Sequence, residues 1–378
     1  MNKLQKRLFF SIFLLILSGC GTEDGVDSSV VKSAEDQNLD TIVWPNENWD
    51  VVSNPEKAGF SQQELAELTE FLKTQNTQSM HVSINGWQVY TYGDVTKVGY
   101  LASVRKSLLA MMYGKYVKDG TINLSSTLEE LGIDDVDGLL PIEKQATVKN
   151  LITATSGIYH KAANGGDNTA DAPERGSQQP GSYYLYNNWD FNASGTVFEK
   201  LTGKSIFQEL NDQLAVPLGF REFDLSEHEK SGNPERSQHL AYHMHISARD
   251  MARVGHLMLT KGLWNDQQLI DSAWVDEMVF PHTQNQQMNP QSVRDTGLEY
   301  GYMWWVFDDD TTPEGFKGAY AGRGHFGQYL AVLPELGMVI SHKTDRISYK
   351  SPEEYAKVRV TWDQFMGIVN RLVAAKIN

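Results

Sequence analysis

The chain has 378 residues, with 33 Lys and Arg against 48 Asp and Glu, which gives a net charge of −15 at pH 7. A surface of this sign repels nucleic-acid phosphates and therefore argues against a nucleic-acid-binding protein. Hydrophobic residues make up 40% of the chain, enough to bury a large core, and the length allows one two-lobed unit or two domains.

The N-terminus has the pattern of a bacterial export signal. Basic residues from Lys3 to Arg7 precede an apolar run from Leu8 to Leu17, which suits a signal peptide and is too short to span a bilayer. The last residue of this run, Leu17, and the three residues that follow it form Leu17-Ser18-Gly19-Cys20, which resembles a bacterial lipobox. We therefore predict that residues 1–19 are a lipoprotein signal peptide and that Cys20, the only cysteine, is the lipidation site. The alternative is a secreted or anchored protein in which Cys20 is incidental.

An acidic segment, residues 20–45, follows the signal. Its many carboxylates and few apolar residues predict a solvated, flexible tether, with ordered structure beginning near Trp44 to Trp49. Gly21, rather than Asp, follows the cysteine, which in a Gram-negative bacterium implies sorting to the outer membrane. The predicted location is therefore the bacterial cell envelope, with the chain held on the membrane by its lipid and, in a Gram-negative cell, facing the periplasm.

The next part of the chain predicts a helix, a hairpin and a second helix. Ser61-Gln62-Gln63-Glu64 is a capping box before an amphipathic pattern. The Asn85-Gly86 pair, flanked by apolar residues, is typical of a β-hairpin turn. A further helix is predicted to begin at Ser103 and to end at Gly120.

Helical patterns dominate the middle of the chain and strand patterns its C-terminal end. The predicted helix starts are Thr147, Ser247 and Asp271, and the predicted C-terminal elements are strands around 299–307, 318–333 and 338–343 and a helix capped by Ser351. Strands at both ends of the chain imply one antiparallel sheet, with an all-helical lobe inserted within about residues 110–285. The predicted fold class is α+β, with a cleft between the two lobes.

The tetrapeptide Ser103-Val104-Arg105-Lys106 is the most informative stretch. Lys106 lies one helical turn after Ser103 on the same face, so its amine can reach the serine hydroxyl. An amine can take the hydroxyl proton once burial or a neighbouring cation lowers its pKa from about 10.4 toward neutrality, and the serine then acts as a nucleophile. By itself the tetrapeptide also fits a surface helix capped by serine. Arg105 lies about 100° around the helix and should point elsewhere.

Two later segments complete an ordered set of motifs. Tyr186-Asn187-Asn188 precedes a predicted helix, and Gly324-His325-Phe326-Gly327-Gln328 precedes an apolar, strand-like run. Ser-x-x-Lys, Tyr-x-Asn and a glycine-bounded strand in this order resemble the penicillin-binding-protein and serine β-lactamase superfamily. Tyr-x-Asn points to its class C β-lactamase branch, with the related carboxylesterases and 6-aminohexanoate-dimer hydrolases. The resemblance covers about residues 50–375.

The resemblance implies both a fold and a set of roles. Residues 46–378 would form a β-lactamase/transpeptidase-like domain, an antiparallel sheet flanked by helices with the inserted helical lobe. Ser103 would be the nucleophile, Lys106 and Tyr186 would transfer protons, and Asn188 would hydrogen-bond the lysine or a substrate carbonyl. Asn187 is expected to point away from the site, and no cofactor is expected.

The third motif departs from the Lys-Thr-Gly of the family, because His325-Phe326-Gly327 stands in its place. By analogy, Gly327 lets the backbone approach the substrate, and the Gln328 N–H joins that of Ser103 as the oxyanion hole. The imidazole of His325 is a weaker counter-ion than a lysine for a β-lactam or peptide carboxylate. The departure therefore favours small esters or amides over β-lactams.

These patterns together predict an exported serine hydrolase that forms an acyl-enzyme on small esters or amides. A β-lactamase or DD-peptidase is one alternative, and a non-catalytic envelope-binding module is another. His243-Met244-His245 has no accompanying ligand pattern, so no metal site is predicted. The loop 164–167 is expected at the cleft rim, and Trp304-Trp305 would either line the cleft or alternate between core and solvent.

Overall fold

The computed structural model describes residues 38–344 and 351–376. The predicted signal peptide, the Cys20 lipidation site and the first part of the predicted tether lie outside these residues. The strands are β1 (Asp50–Val51), β2 (Thr77–Ile84), β3 (Trp87–Gly93), β4 (Gly99–Tyr100), β5 (Glu229–Ser231), β6 (Ala241–His243), β7 (His245–Ile246), β8 (Leu263–Trp264), β9 (Gln267–Gln268), β10 (Leu298–Tyr300), β11 (Trp305–Phe307), β12 (Tyr320–Gly324), β13 (Gln328–Leu333) and β14 (Met338–Thr344).

Helices account for most of the remaining regular structure. They are α1 (Gln62–Lys73), α2 (Val104–Lys118), α3 (Val148–Ile152), α4 (Asn188–Thr202), α5 (Ile206–Leu210), α6 (Val216–Leu218), α7 (Ala248–Leu259), α8 (Ser272–Val279), α9 (Gln291–Arg294), α10 (Pro352–Val358) and α11 (Trp362–Ala374). The predicted helix starts at Ser61, Thr147, Ser247 and Asp271 are confirmed, since each side chain caps its helix by accepting a backbone N–H. None of the helices in the described part of the chain is long and apolar enough to cross a membrane.

One large sheet joins the two ends of the chain. Its strand order is β1-β3-β2-β14-β13-β12-β11-β10, and every neighbouring pair is antiparallel except β1 with β3. β2 and β3 form the predicted hairpin, with Asn85 and Gly86 at positive φ in the turn. The helices α2 to α9 lie in the chain between β3 and β10. The predicted α+β fold, an antiparallel sheet with helices inserted between its strands, is confirmed.

Helices cover both faces of this sheet. Leu330 on β13 faces α7, because a Cβ at Gly255 would lie 2.9 Å from the leucine side chain. Its neighbour Tyr329 points to the opposite face, where its ring stacks on Phe365 of α11 with centroids 4.6 Å apart. Gly322, the cross-strand partner of Leu330, packs against the first turn of α2, so α2 lies on the α7 face. The helix α7, although within the predicted lobe, therefore packs on the sheet.

Three predicted elements are each divided in two. The strand predicted around 299–307 is the antiparallel pair β10 and β11, with Met303 at a φ of 57° in the turn. The strand predicted at 318–333 is the hairpin of β12 and β13. The last helix follows Ser351 as predicted but ends at Val358, and Thr361 caps a second helix, α11. Apolar residues continue through or close to these turns, so hydrophobicity alone did not reveal the breaks.

The end of the predicted tether packs on the fold. Asn85 donates its side-chain amide to the Leu39 carbonyl at 2.8 Å, and its own carbonyl accepts the Val43 N–H at 2.9 Å. A Cβ at Gly86 would lie 1.9 Å from the Val43 carbonyl oxygen, so the contact requires glycine. Trp44 packs against the hydrophobic core. The end of the predicted tether is therefore held by the hairpin turn at Leu39 and Val43, whereas Asp40, Thr41 and Ile42 between them are exposed.

Candidate active site

Ser103 stands at the start of α2, directly after a strained residue. Ala102 has a φ of 49°, a left-handed conformation that is uncommon for a residue with a side chain. Ser103 occupies the N-cap position, yet its side chain makes no cap hydrogen bond. Its side chain interacts with the Tyr186 phenol instead and lowers the pKa of that phenol. The serine oxygen is thus free of a capping role and lies beside the unpaired N–H groups at a helix start.

Lys106 is fully buried one turn later. Its Nζ lies 2.6 Å from the Tyr186 hydroxyl, 2.7 Å from Asn188 Oδ1 and 4.1 Å from the centre of the Phe191 ring. No Asp or Glu of the described residues pairs with this amine within 4.0 Å. Burial, followed by the charge of Arg105, lowers the pKa of Lys106 well below its ordinary value. The amine is therefore prepared to accept a proton.

Tyr186 interacts with both the lysine and the serine: the Lys106 amine donates a hydrogen bond to its hydroxyl, and the Ser103 side chain lowers its pKa. Burial raises the pKa of Tyr186 to about 12, although the hydrogen bond from Ser103 and the charge of Arg105 oppose this rise. The phenol is consequently neutral at physiological pH and can relay a proton. Its ring stacks on Trp305, with centroids 5.5 Å apart and an interplanar angle of 29°.

The start of α4 holds both the lysine and the rim of the cavity. Asn187 caps the helix with its side chain and, as predicted, points away from the serine. Asn188 donates its side-chain amide to the Gly165 carbonyl at 2.9 Å, and its backbone N–H donates to Asp167 Oδ2 at 2.8 Å. The loop 164–167 therefore lies at the rim of the cleft, as its turn-forming sequence predicted.

Ser103 opens into a cavity of about 500 Å³. The strand β12 runs close to the start of α2 because its glycines lack side chains: a Cβ at Gly324 would lie 2.5 Å from the Leu101 carbonyl oxygen. A smaller cavity of about 270 Å³ also reaches the serine and borders Arg105 and Asn188. The larger cavity is lined by side chains that include Asp167, Tyr186, Trp305, Arg323, His325, Phe326, Tyr329, Arg359 and Trp362.

Two arginines line the larger cavity. The Arg323 guanidinium lies between the rings of Trp305 and Trp362, with Cζ 4.5 Å and 4.3 Å from their centres. Its Nη1 is buried and has no hydrogen-bond partner among the described residues. Arg359 lies against His325, with Nη1 3.0 Å from Nε2. Within residues 38–344 and 351–376, no carboxylate pairs with either arginine within 4.0 Å, so both charges remain available to an anionic ligand group.

His325 lines the cavity but does not supply its positive charge. Burial and the neighbouring Arg359 lower the pKa of His325 to about 4, so the imidazole is neutral at neutral pH. A permanent charge comes from Arg323 and Arg359 instead. The preference for esters and amides over β-lactams, which followed from the absence of a lysine here, therefore loses that basis.

Gly327 and Gln328 do not line the cavity that contains Ser103. Gln328 pairs with Gly324 across the β12–β13 hairpin, and its side-chain amide donates to the Thr344 carbonyl at 3.1 Å. Gly327 packs against β14, since a Cβ there would lie 2.2 Å from Thr344 Oγ1. The structure places neither residue where the predicted oxyanion hole requires it, because the hairpin turn brings the backbone of Gly324 and His325 to the cavity instead.

The two adjacent tryptophans face different surroundings. Trp305 lines the cavity, whereas Trp304 is fully buried and packs edge-on against Tyr320 with centroids 5.5 Å apart.

The His243-Met244-His245 segment belongs to no metal site in the described residues. The ring Nδ1 of His243 shares a hydrogen bond of 2.9 Å with the Tyr100 hydroxyl. In the described part of the chain, no three His, Cys, Asp or Glu side chains are grouped to hold a metal ion.

The sequence analysis missed both cavity arginines. Arg323 stands between Gly322 and Gly324 on a strand, and alternation places the two glycines toward α2 and the arginine on the other face. That pattern could have indicated a side chain at the cleft. Arg359 lies between α10 and α11, and no local pattern connects it to a cavity formed by residues far away in the chain.

Comparison with known proteins gives the family. The Beta-lactamase family profile matches residues 79–346, which contain all three motifs. An uncharacterized protein from Alkalihalophilus pseudofirmus is 25% identical over 290 residues, which cover 71% of this chain and 80% of that protein.

Two solved structures show the same fold. A provisionally named 6-aminohexanoate-dimer hydrolase from Bacillus anthracis has a TM-score of 0.60 at 20% identity, covering 89% of this chain and 90% of its own. A tyrosine-to-phenylalanine mutant of a class C β-lactamase has a TM-score of 0.59 at 14% identity, with coverage of 83% and 97%. The profile match, together with the motifs that it spans, shows that this chain belongs to the Beta-lactamase family and is a serine hydrolase of the esterase, amidase and β-lactamase kind.

Proposed function

We propose that this protein is an exported serine hydrolase that cleaves small esters or amides through an acyl-enzyme on Ser103. One observation carries the proposal: the buried Lys106 amine hydrogen-bonds to the Tyr186 hydroxyl at 2.6 Å, and this phenol interacts with the Ser103 side chain. A serine, a neutral phenol and an amine of lowered pKa in contact form a route by which the hydroxyl proton can leave during attack.

The proposed reaction has two halves. Ser103 Oγ bonds to the substrate carbonyl carbon while its proton passes to Tyr186 and the phenol proton passes to Lys106. The tetrahedral intermediate then breaks its bond to the leaving group, which receives the proton back through Tyr186. Water attacks the acyl-enzyme by the same route, releases the acid and restores the serine.

The developing oxyanion is proposed to lie between the Ser103 N–H and the backbone N–H of His325. The first group belongs to the start of α2, where unpaired N–H groups and the helix dipole favour negative charge. The second follows Gly324, whose close approach to Leu101 brings the β12–β13 turn beside the serine. His325 thus replaces Gln328 in the proposed oxyanion hole.

Structural similarity and the charges that line the cavity both indicate a class of substrate. Similarity to a structure named as a 6-aminohexanoate-dimer hydrolase supports small amides as one substrate class. Arg323 and Arg359 favour substrates that carry a carboxylate, because charge-assisted hydrogen bonds to arginine are strong. The same arginines favour a second candidate, a β-lactamase or DD-peptidase, since β-lactams and peptidoglycan peptides carry carboxylates.

The test is a comparison of kcat/KM for three substrates: 4-nitrophenyl butyrate, a small linear amide and a chromogenic cephalosporin. The proposal expects the ester or the amide to be hydrolysed, and hydrolysed more efficiently than the cephalosporin. Efficient cephalosporin turnover would favour the second candidate. If the protein hydrolyses none of these three substrates and no carboxylate-bearing ester, a non-catalytic envelope-binding module is favoured.

A location at the cell envelope is part of the proposal. The basic, apolar and small-residue pattern that ends at Cys20 supports export and lipid attachment. In a bacterial host, mature protein should begin at Cys20, carry acyl chains there by mass spectrometry and partition into detergent. Mature protein with an unmodified cysteine would contradict the lipid anchor.

A further inference from the structure

Arg105 is a buried cation beside the catalytic lysine that the proposed reaction does not use. Only 2% of the residue is exposed. Nη1 donates to the Ala102 carbonyl at 3.2 Å and Nη2 to Asn192 Oδ1 at 3.3 Å, while Cζ lies 4.9 Å from the centre of the Tyr242 ring. Across residues 38–344 and 351–376, no carboxylate pairs with it within 4.0 Å. Burial of an uncompensated guanidinium is costly, which suggests a function for it.

The helix α4 contacts two consecutive cations of α2 through neutral amides. Asn188 accepts from Lys106, and Asn192, one turn later on α4, accepts from Arg105. An asparagine oxygen satisfies a hydrogen bond without cancelling the charge of its donor, whereas an aspartate would cancel it. The arginine guanidinium is a permanent cation, so its positive charge disfavours the protonated form of the Lys106 amine.

The other titratable groups around Lys106 oppose this effect only in part, since Asp167 and Asp190 each raise the pKa of the lysine by less than Arg105 lowers it. They are Tyr186 at the start of α4, Asp190 on α4, Asp167 on the rim loop and His325 in the β12–β13 turn. Burial raises the pKa of Asp190 to about 8, so this carboxyl is mostly protonated at neutral pH. The oxygens of Asp167 accept backbone N–H groups of Asn188 and Thr169. His325 is neutral for the reason given above.

The hydrogen bond to Ala102 connects Arg105 to the nucleophile as well. Ala102 is the left-handed residue that immediately precedes Ser103, and such a conformation persists only where surrounding contacts hold it. The Arg105 guanidinium supplies one of those contacts from within the same turn of α2. The one side chain therefore contacts the turn that orients the serine, and its charge acts on the amine that takes the serine proton.

From this geometry we propose that Arg105 is a positioning residue of the active site: it secures the turn before Ser103 and, as a permanent cation, keeps the Lys106 amine uncharged. The inference rests on the proposed function, because an uncharged amine has a purpose only if Lys106 accepts the serine proton. Arg105 is one of the two variable positions of Ser-x-x-Lys, so the inference gives a role to a residue that the motif does not specify. It predicts a change in the pH dependence of activity rather than the same loss of activity at every pH.

The first experiment measures kcat/KM for 4-nitrophenyl butyrate against pH in Arg105→Met, Arg105→Lys and Asn192→Asp. Arg105→Met removes the charge, and Asn192→Asp cancels it, so the acid limb should move to higher pH in both. At pH 7 we expect a loss of about ten-fold or more, mostly recovered near pH 9. Arg105→Lys keeps the charge and should retain the wild-type limb. Asn192→Ala, the matched control, removes the amide without adding charge and should also leave the limb in place.

A purely structural role would give a different result. In that case Arg105→Met would lose the same fraction of activity at every pH, and Asn192→Asp would resemble Asn192→Ala. Either outcome would overturn the proposal. If Arg105→Met does not fold, the comparison of Asn192→Asp with Asn192→Ala still decides the question.

The second experiment observes the lysine without any substrate. Protein carrying ¹³C-labelled lysine is titrated by NMR, and the Lys106 signal is assigned by its loss in Lys106→Met. The midpoint should rise by about one pH unit, a ten-fold gain in proton affinity, in Arg105→Met and Asn192→Asp. Equal midpoints in all variants would refute the inference. If the midpoint moves but wild type cleaves no ester, amide or β-lactam, the proposed function fails while the electrostatic role of Arg105 stands.

Discussion

The two sides of the Ser103 cavity are built in opposite ways. The catalytic floor, which we define as Lys106, Tyr186 and Asn188, comes from α2 and α4 and is buried, with exposed fractions of 0%, 7% and 2%. The cationic wall, defined as Arg323 and Arg359, comes from a strand end and from the segment before α11. Its side chains contact aromatic rings and an imidazole, and they keep their charges unpaired among the described residues.

The difference follows from what each side must do. A proton-transfer group needs a shifted pKa, and only burial with specific partners shifts it far. A recognition group needs a permanent charge that a ligand can reach, which arginine provides without any shift. Changes to the floor should therefore affect kcat for every substrate, whereas changes to the wall should affect only substrates that carry a negative charge.

The largest expected effect is at the nucleophile. Ser103→Ala should reduce turnover of every ester and amide by roughly 10³-fold or more, because no other group can form the acyl-enzyme. Thermal stability should change little, since the Ser103 side chain makes no cap hydrogen bond. Near wild-type hydrolysis by this variant, measured with 4-nitrophenyl butyrate, would remove the serine from the reaction.

The floor should behave as one unit. Lys106→Met and Tyr186→Phe should each lose most of the activity, and the double variant should lose little more than either single variant, because the proton route is already broken. A double-mutant cycle on kcat measures this coupling. Losses that simply add would show that the lysine and the tyrosine act independently, despite the 2.6 Å contact between them.

The pH profile of wild type provides a smaller, directional test of the floor. Because the pKa of Lys106 is lowered, the active, uncharged amine should persist below the usual lysine range, and kcat/KM should fall only as the pH drops through that lowered value. On the alkaline side, Tyr186 has a pKa of about 12, so its phenol should cause no loss up to about pH 10. An acid limb near the ordinary lysine pKa would contradict the lowered value.

The smallest effect should come from the wall, and it should depend on the substrate. Arg359→Met should lower kcat/KM for 4-nitrophenyl hemisuccinate by about ten-fold, since a charge-assisted hydrogen bond is worth about 1.5–3 kcal/mol. The uncharged butyrate ester should change less than about three-fold, and it serves as the internal control. Equal losses for both esters would mean that Arg359 supports the fold of the cavity rather than ligand charge.

The same division explains what the sequence could predict. Helix starts and the floor were predictable, because Ser103 and Lys106 are one helical turn apart and the Tyr-x-Asn motif fixes the start of α4. The hairpin at 325–327 was not, since the register of β12 and β13 depends on their place within the whole sheet. Arg359 reaches the cavity only through the packing of α11 on the sheet, which no local pattern encodes.

The most direct test of the central claim is mass spectrometry of the intact protein after reaction with a fluorophosphonate probe, followed by peptide mapping. The predicted result is one adduct per chain, located on Ser103, with slower labelling in Lys106→Met because the serine then lacks its proton acceptor. The Ser103→Ala protein should take up no probe. An adduct on another residue, or equal labelling of Ser103→Ala, would contradict a Ser103 acyl-enzyme.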